Sequence, residues 1–205
     1  MKKTRENFAF MLLGTNRTGK TTIARQIAEL WVKTHKGQNV IAYDMQNRFN
    51  DIRTKNLTMM DEKQVGEYLS TVYNSLVIFD DYRMLYDTDR TPKELLNFMQ
   101  LRNERCNDVI FITHSPNLVL NRLTYYLTHY YLFYTQGVDK GFSDKIDNAY
   151  ILIKLRNIVN RYRKMYGRGT YLPAAPAKSF PYIVFDNGNQ TVQYVNFTFE
   201  QNGGD

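Results

Sequence analysis

With 205 residues, 43% of them hydrophobic and 14% aromatic, the chain is long enough to fold as one globular domain with a substantial core. A single cysteine, Cys106, excludes an intramolecular disulfide framework and fits a reducing cytoplasmic setting. The net charge of +7 points toward polyanionic partners without selecting one, and no apolar run approaches the ~20 residues a membrane-spanning helix needs.

At the N-terminus Lys2, Lys3 and Arg5 precede an apolar run, as in a short signal peptide. No small-residue cleavage site follows and the run leads straight into Gly14, so residues 8–13 are expected to form a buried strand. A helix is predicted over 21–33, with Ile23, Ile27, Leu30 and Trp31 on one stripe. Residues 40–43 read as a second strand. The polar stretch 44–63 has no period, and 67–74 is the next helical segment. A third strand, 76–79, is closed by Asp80 and Asp81. Thr91, Pro92 and Glu94 read as a capping box with proline in the first turn, opening a helix that runs toward Cys106. Strands follow at 109–113 and 129–134.

Residues 144–166 are expected to be helical, with Leu155, Ile158, Val159, Tyr162, Met165 and Tyr166 on one stripe. Arg156, Arg161, Arg163 and Lys164 would then form the opposite, basic face. A loop over 172–181 leads to a hairpin at 182–197 around an Asn187-Gly188 turn. Alternating strands and helices predict an α/β fold with a mostly parallel central sheet and a C-terminal β-hairpin. One domain would span 1–205, its core at about 8–135 and the closing helix and hairpin at about 144–199.

Residues 14–22 read Gly14, Thr15, Asn16, Arg17, Thr18, Gly19, Lys20, Thr21, Thr22. This is the phosphate-loop pattern, glycine, four residues, then Gly-Lys-Thr, set between an apolar strand and an amphipathic helix. Glycines let successive N–H groups converge on phosphate oxygens, and the helix N-terminus adds partial positive charge. Lys20 would reach the β- and γ-phosphates of ATP, and the Thr21 hydroxyl would join a Mg²⁺ shell. Asp80, at the end of an apolar strand, is the expected second Mg²⁺ residue, and Asp81 the candidate base for an attacking water. The alternative is that both aspartates only begin a turn. The strand ending in Thr113, His114 and Ser115 offers His114 as a sensor of the γ-phosphate. These motifs place one strand between the phosphate-loop strand and the acidic strand. No Asn-Lys-x-Asp guanine-reading motif occurs.

Carried by "GTNRTGKTT", "LVIFDD" and "LRNERCNDVIFITHSPNLVLNRL", the chain resembles the FtsK/HerA superfamily, in particular viral genome-packaging ATPases and the zonula-occludens-toxin-like ATPases of filamentous phages. The resemblance covers about residues 8–134. Where the family commonly has Thr-Gln at the sensor strand this chain has Thr113-His114, and where it often has glutamate after the magnesium-binding aspartate this chain has Asp81. The resemblance implies a three-layer P-loop NTPase fold with an added central strand, and a cytoplasmic or virion-associated ATP-driven motor. Such a motor would move DNA as a homo-oligomeric ring and work with capsid or portal proteins. It also implies an arginine supplied by a neighbouring subunit. Arg102 continues the apolar face of Leu95, Phe98 and Met99, and Arg105 follows Phe98. An arginine on such a stripe either snorkels to solvent or satisfies carbonyls at the helix end, or else reaches an anion in a partner. Arg83 and Arg90 are next in line. Competing readings are a filamentous-phage assembly or export ATPase, a small-molecule nucleotide kinase and a non-hydrolysing ATP switch.

Overall fold

The computed structural model describes residues 7–86, 90–135, 142, 146–166 and 180–197. In chain order they form β1 (Ala9–Leu13), α1 (Lys20–Thr34), β2 (Asn39–Tyr43), β3 (Lys55–Asn56), α2 (Glu62–Leu69), β4 (Ser75–Asp80), α3 (Lys93–Leu101), β5 (Asp108–Thr113), β6 (His129–Leu132), α4 (Ala149–Tyr166), β7 (Tyr182–Asp186) and β8 (Thr191–Val195). Short 3-10 turns lie at Tyr82–Met84, Pro116–Leu118 and Asn121–Tyr126.

One sheet runs in the order β3-β2-β4-β5-β1-β6-β7-β8. The pairings from β3 to β6 are parallel and those of β7 and β8 antiparallel. β5 lies between β1 and β4, with Leu13 beside Thr113 and Asp80 beside Ile112, which is the inserted strand the motifs implied. The central strands are apolar throughout because both faces are covered. Leu12, Val40, Ala42, Leu76, Ile78 and Ile110 pack beneath α1. Met11, Ile41, Val77, Phe79 and Phe111 share the other core with side chains of α2, α3 and α4. The chain is thus a three-layer α/β structure. Among the described residues no helix is long and apolar enough to cross a membrane.

Several expectations about phase and capping are corrected. On α1 the buried stripe is Ile23, Ala24, Ala28 and Trp31, whereas Leu30 is 63% exposed. The indole N–H of Trp31 donates to the buried Asp108 carboxylate (2.7 Å), and this tie turns the alanines to the sheet. α2 begins earlier than expected, behind an Asp61–Gln64 capping box, and ends at Leu69. Thr91 does not cap α3: Pro92 stands at the N-cap with no side-chain bond. Glu94 does not turn back to cap because its Cβ and Cγ lie over Gly66, where any side chain would meet them at 2.5–2.7 Å. α4 buries Leu152, Leu155 and Val159, leaving Ile158 38% and Met165 65% exposed. Its basic residues do not form one solvated face: Arg161 and Lys164 are exposed, Arg156 is half-buried, and Arg163 lies over the Tyr134 ring at 5.1 Å. The expected start of this helix at 144, and most of the loop over 172–181, lie outside the described residues. The hairpin turns through four residues, 187–190, instead of a two-residue Asn-Gly turn. The Asp186 carboxylate accepts from the N–H groups of Gly188 (2.9 Å) and Asn189 (3.0 Å), and Gln190 takes the left-handed residue (φ 56°).

Candidate active site

The C-terminal ends of β1, β4 and β5 meet at one edge of the sheet, the edge where open α/β sheets bind ligands. After β1 the chain enters the loop at Gly14, whose N–H donates to Thr113 O (3.2 Å); the N–H of Thr15 donates to Tyr134 O (2.9 Å). A side chain on Gly14 would lie 2.6 Å from Phe133 Cβ. Gly19 closes the loop at φ 94°, and a side chain there would meet the Phe180 ring at 2.7 Å. Both glycines are therefore required by shape. Thr18 is buried and bonds Thr15 O (2.8 Å), while Asn16 and Arg17 are exposed at the tip.

Within α1 the N–H of Ile23 donates to Gly19 O, so the N–H groups ahead of it have no intrahelical acceptor. No side chain caps this end and its first turn holds no acidic residue. A helix end left this way favours an anion. Lys20 is 4% exposed and its Nζ donates to Gly14 O (2.6 Å) and Thr15 O (2.8 Å), wrapping the loop around the amine. Burial pulls its pKa down to about 8, against the opposing pull of Asp80 and Asp81.

Nζ also lies 3.3 Å from Nδ1 of His114, whose Nε2 is 3.3 Å from Asp81 Oδ2. An ammonium has only donors, so Nδ1 accepts and the imidazole presents Nε2–H to Asp81. Asp81 sits in the left-handed region (φ 58°), and its carboxylate does not cap the 3-10 turn that follows. Its Oδ2 faces His114 instead. Lys20, His114 and Asp81 thus form a line from a buried amine to a half-exposed carboxylate.

No protein-family model matches the chain, and no curated protein matches it in sequence. Among solved structures it is similar to the genome packaging NTPase B204 of Sulfolobus turreted icosahedral virus 2 in complex with ATP-gammaS. The TM-score is 0.59 at 12% identity, over 92% of this chain and 96% of that one. The complex of the same NTPase with AMP gives 0.61 at 12% identity, over 94% and 98%. The cytoplasmic domain of the Thermomonospora curvata type VII secretion ATPase EccC gives 0.58 at 10% identity, over 95% of this chain and 24% of that one. The chain has the three-layer α/β fold of these NTPases.

In a P-loop fold the cation partners would be the Thr21 hydroxyl and Asp80. Among the described residues no group of three or more His, Cys, Asp or Glu is arranged to hold a metal, so a cation here would share its shell with the nucleotide. Asp80 fits that task. Burial pushes its carboxyl up to about 6, with Arg48 pulling the other way, and a desolvated carboxylate is a ready partner for a hard cation. A pH test follows. The folded value lies above the ordinary 3.8, so wild-type stability falls as pH rises through the window between 3.8 and about 6, and the cost is fully present above it. The stability advantage of Asp80→Asn, measured by urea unfolding without nucleotide or metal, should grow from near zero at pH 4 toward at most about 3 kcal/mol at pH 7. An advantage equal at both pH values would contradict this.

Neither arginine that follows α3 bonds the phosphate loop. Arg102 is 6% exposed and donates to Asn7 O (2.7 Å), Asn103 Oδ1 (3.1 Å) and Tyr126 O (3.1 Å). Asn7 precedes β1, so this guanidinium lies at the opposite edge of the sheet from Gly14. Arg105 bonds Ser70 O and stacks on Tyr73 at 5.0 Å. Carbonyls do solve the desolvation problem at Arg102, but they are those of Asn7 and Tyr126 and not those of the helix end. Arg83, in the turn directly after Asp81, is the candidate nearest the site in sequence.

Two side chains at this edge carry no sequence signal beyond their polarity. Asp44, at the end of β2, is 1% exposed; it pairs with Arg53 (2.9 Å) and accepts from the N–H of Phe49 (2.8 Å). Arg48, from the segment without a period, donates to Thr21 Oγ1 (2.8 Å).

Proposed function

We propose that this chain hydrolyses ATP and couples the energy to moving DNA, as the motor of viral genome packaging. The observation that carries the reading is the line Lys20–His114–Asp81 beside Asp80, at the uncapped N-terminus of α1. The similar structures support it: B204 is named a genome packaging NTPase and matches over almost its whole length.

In this mechanism Lys20 leaves the carbonyls of Gly14 and Thr15 for the β- and γ-phosphates, trading neutral acceptors for anionic ones. The loop N–H groups and the start of α1 hold the remaining oxygens. Thr21 and Asp80 would hold Mg²⁺, which would supply charge neutralisation for the phosphates. Asp81 accepts the proton of a water whose oxygen attacks the γ-phosphorus, while the bond to the bridging oxygen breaks and ADP leaves. His114 holds Asp81 in place and reports the γ-phosphate to β5. A ring of copies, each site completed by an arginine from its neighbour, and capsid or portal partners complete the proposal. Arg102 and Arg105 bond carbonyls of their own chain, and Arg83, in the turn directly after Asp81, is the next candidate for that role, with Arg90 after it.

DNA contact is tested by salt. A protein that neutralises several backbone phosphates loses affinity steeply, ~10³-fold or more between about 50 and 200 mM salt for six or more contacts. Fluorescence anisotropy with labelled DNA should show such a slope, reduced by Arg161→Ala with Lys164→Ala if α4 contributes. Binding that is flat in salt, or absent, removes DNA as the substrate and leaves the ATPase reading without its motor.

A further inference from the structure

Arg48 carries the inference, and its mounting is as informative as its contact. Next to it, Phe49 is fully buried in the core beneath α1. The carbonyl of Arg48 accepts from Arg25 of α1 (2.7 Å), itself paired with Glu29 (2.9 Å) and with Asp51. Arg53 bridges the buried Asp44 and the Asn47 side chain (2.8 Å), and Asn47 is held in the left-handed region (φ 54°). Residues 44–53 therefore form a braced bracket. From it the Arg48 guanidinium reaches across to α1, with Nη1 on Thr21 Oγ1 (2.8 Å) and Nη2 on Gln46 Oε1.

Arg48 occupies the hydroxyl that the proposed function gives to the cation. A hydroxyl oxygen that coordinates a divalent cation is a poor acceptor, and a guanidinium beside it is repelled. The guanidinium must then release Thr21, and the oxygens of a bound terminal phosphate would offer its planar fork a bidentate anionic acceptor.

We propose that Arg48 is a γ-phosphate-reading arginine supplied in cis: it holds the Thr21 hydroxyl in the nucleotide-free site and transfers to the γ-phosphate when ATP is bound. This rests on the reading of residues 14–22 as an ATP site. It goes further by giving the discrimination of ATP from ADP to a side chain of the same chain, on the β2–β3 connection. Because ADP lacks the acceptor oxygens, Arg48 contributes to ATP binding and not to ADP binding.

The test is equilibrium binding of fluorescent ATPγS and ADP, with magnesium, to wild type and to Arg48→Ala, Arg48→Gln, Arg48→Lys and Lys20→Ala. Arg48 is exposed and outside the core, so circular dichroism of its variants should match wild type. Arg48→Ala and Arg48→Gln should weaken ATPγS ~10-fold or more, as expected for a lost charge-assisted contact to phosphate, and leave ADP within about twofold. Arg48→Lys should recover part of the loss. Equal weakening of both nucleotides, no change in either, or full recovery by Arg48→Gln would each overturn the proposal. If wild type binds neither nucleotide, the ATP-site reading falls and this inference with it. If wild type binds both and Lys20→Ala loses both, that reading stands whatever Arg48 does.

Discussion

Replacing Lys20 with alanine should reduce ATP hydrolysis ~10³-fold or more and leave the fold intact. Among the described residues Nζ bonds the loop and His114, and desolvation already pulls it down to about 8 without nucleotide. The folded protein therefore loses little when the charge goes, because a buried ammonium without an anion is held at a cost. The same charge is needed when phosphates arrive. Thermal melting should show a midpoint near that of wild type, and nucleotide should no longer raise it. An alanine variant that hydrolyses ATP at near wild-type rate would remove the basis of the reading.

The second large effect is at Asp81. Asp81→Asn should spare nucleotide binding and lower turnover ~10²–10⁴-fold, the range for a lost general base. The amide oxygen of asparagine can still accept from Nε2–H of His114, so the 3.3 Å contact survives while the proton acceptor is gone. Asparagine also tolerates the left-handed backbone at φ 58°. Asp80→Asn should do the reverse and weaken magnesium-dependent binding. Fluorescent-nucleotide titration beside single-turnover hydrolysis separates the two. If both variants lose only binding, the division of roles between the adjacent aspartates is wrong.

That residues 14–22, both aspartates and His114 lie at one edge was readable in the sequence because each sits where an apolar strand ends. Parallel strands of one sheet bring such ends together whatever the rest of the chain does. The inserted position of β5 followed from the same logic. Helix phase was less readable. Counting large apolar residues put Leu30 inside, but small alanines and the Trp31–Asp108 bond decide which face of α1 meets the sheet. Arg102 was placed on the apolar face, but neither its burial nor its partners could be read, because its acceptors are carbonyls 95 and 24 residues away. Arg48 was invisible for a related reason. Its partner Thr21 lies 27 residues back, and the bracket that aims it is built from side-chain bonds, which leave no period. The Asp61–Gln64 box, by contrast, was legible in its spacing and missed beside the unpatterned stretch.

The central claim, that this site turns over ATP by water attack, is tested most directly by phosphate release from MgATP with no small-molecule acceptor present. The measurement is made with and without single- and double-stranded DNA. The account predicts steady release by wild type, accelerated by DNA and lost in Lys20→Ala and Asp81→Asn. Nucleotide binding without phosphate release under any of these conditions, or release that persists in Asp81→Asn, would contradict it.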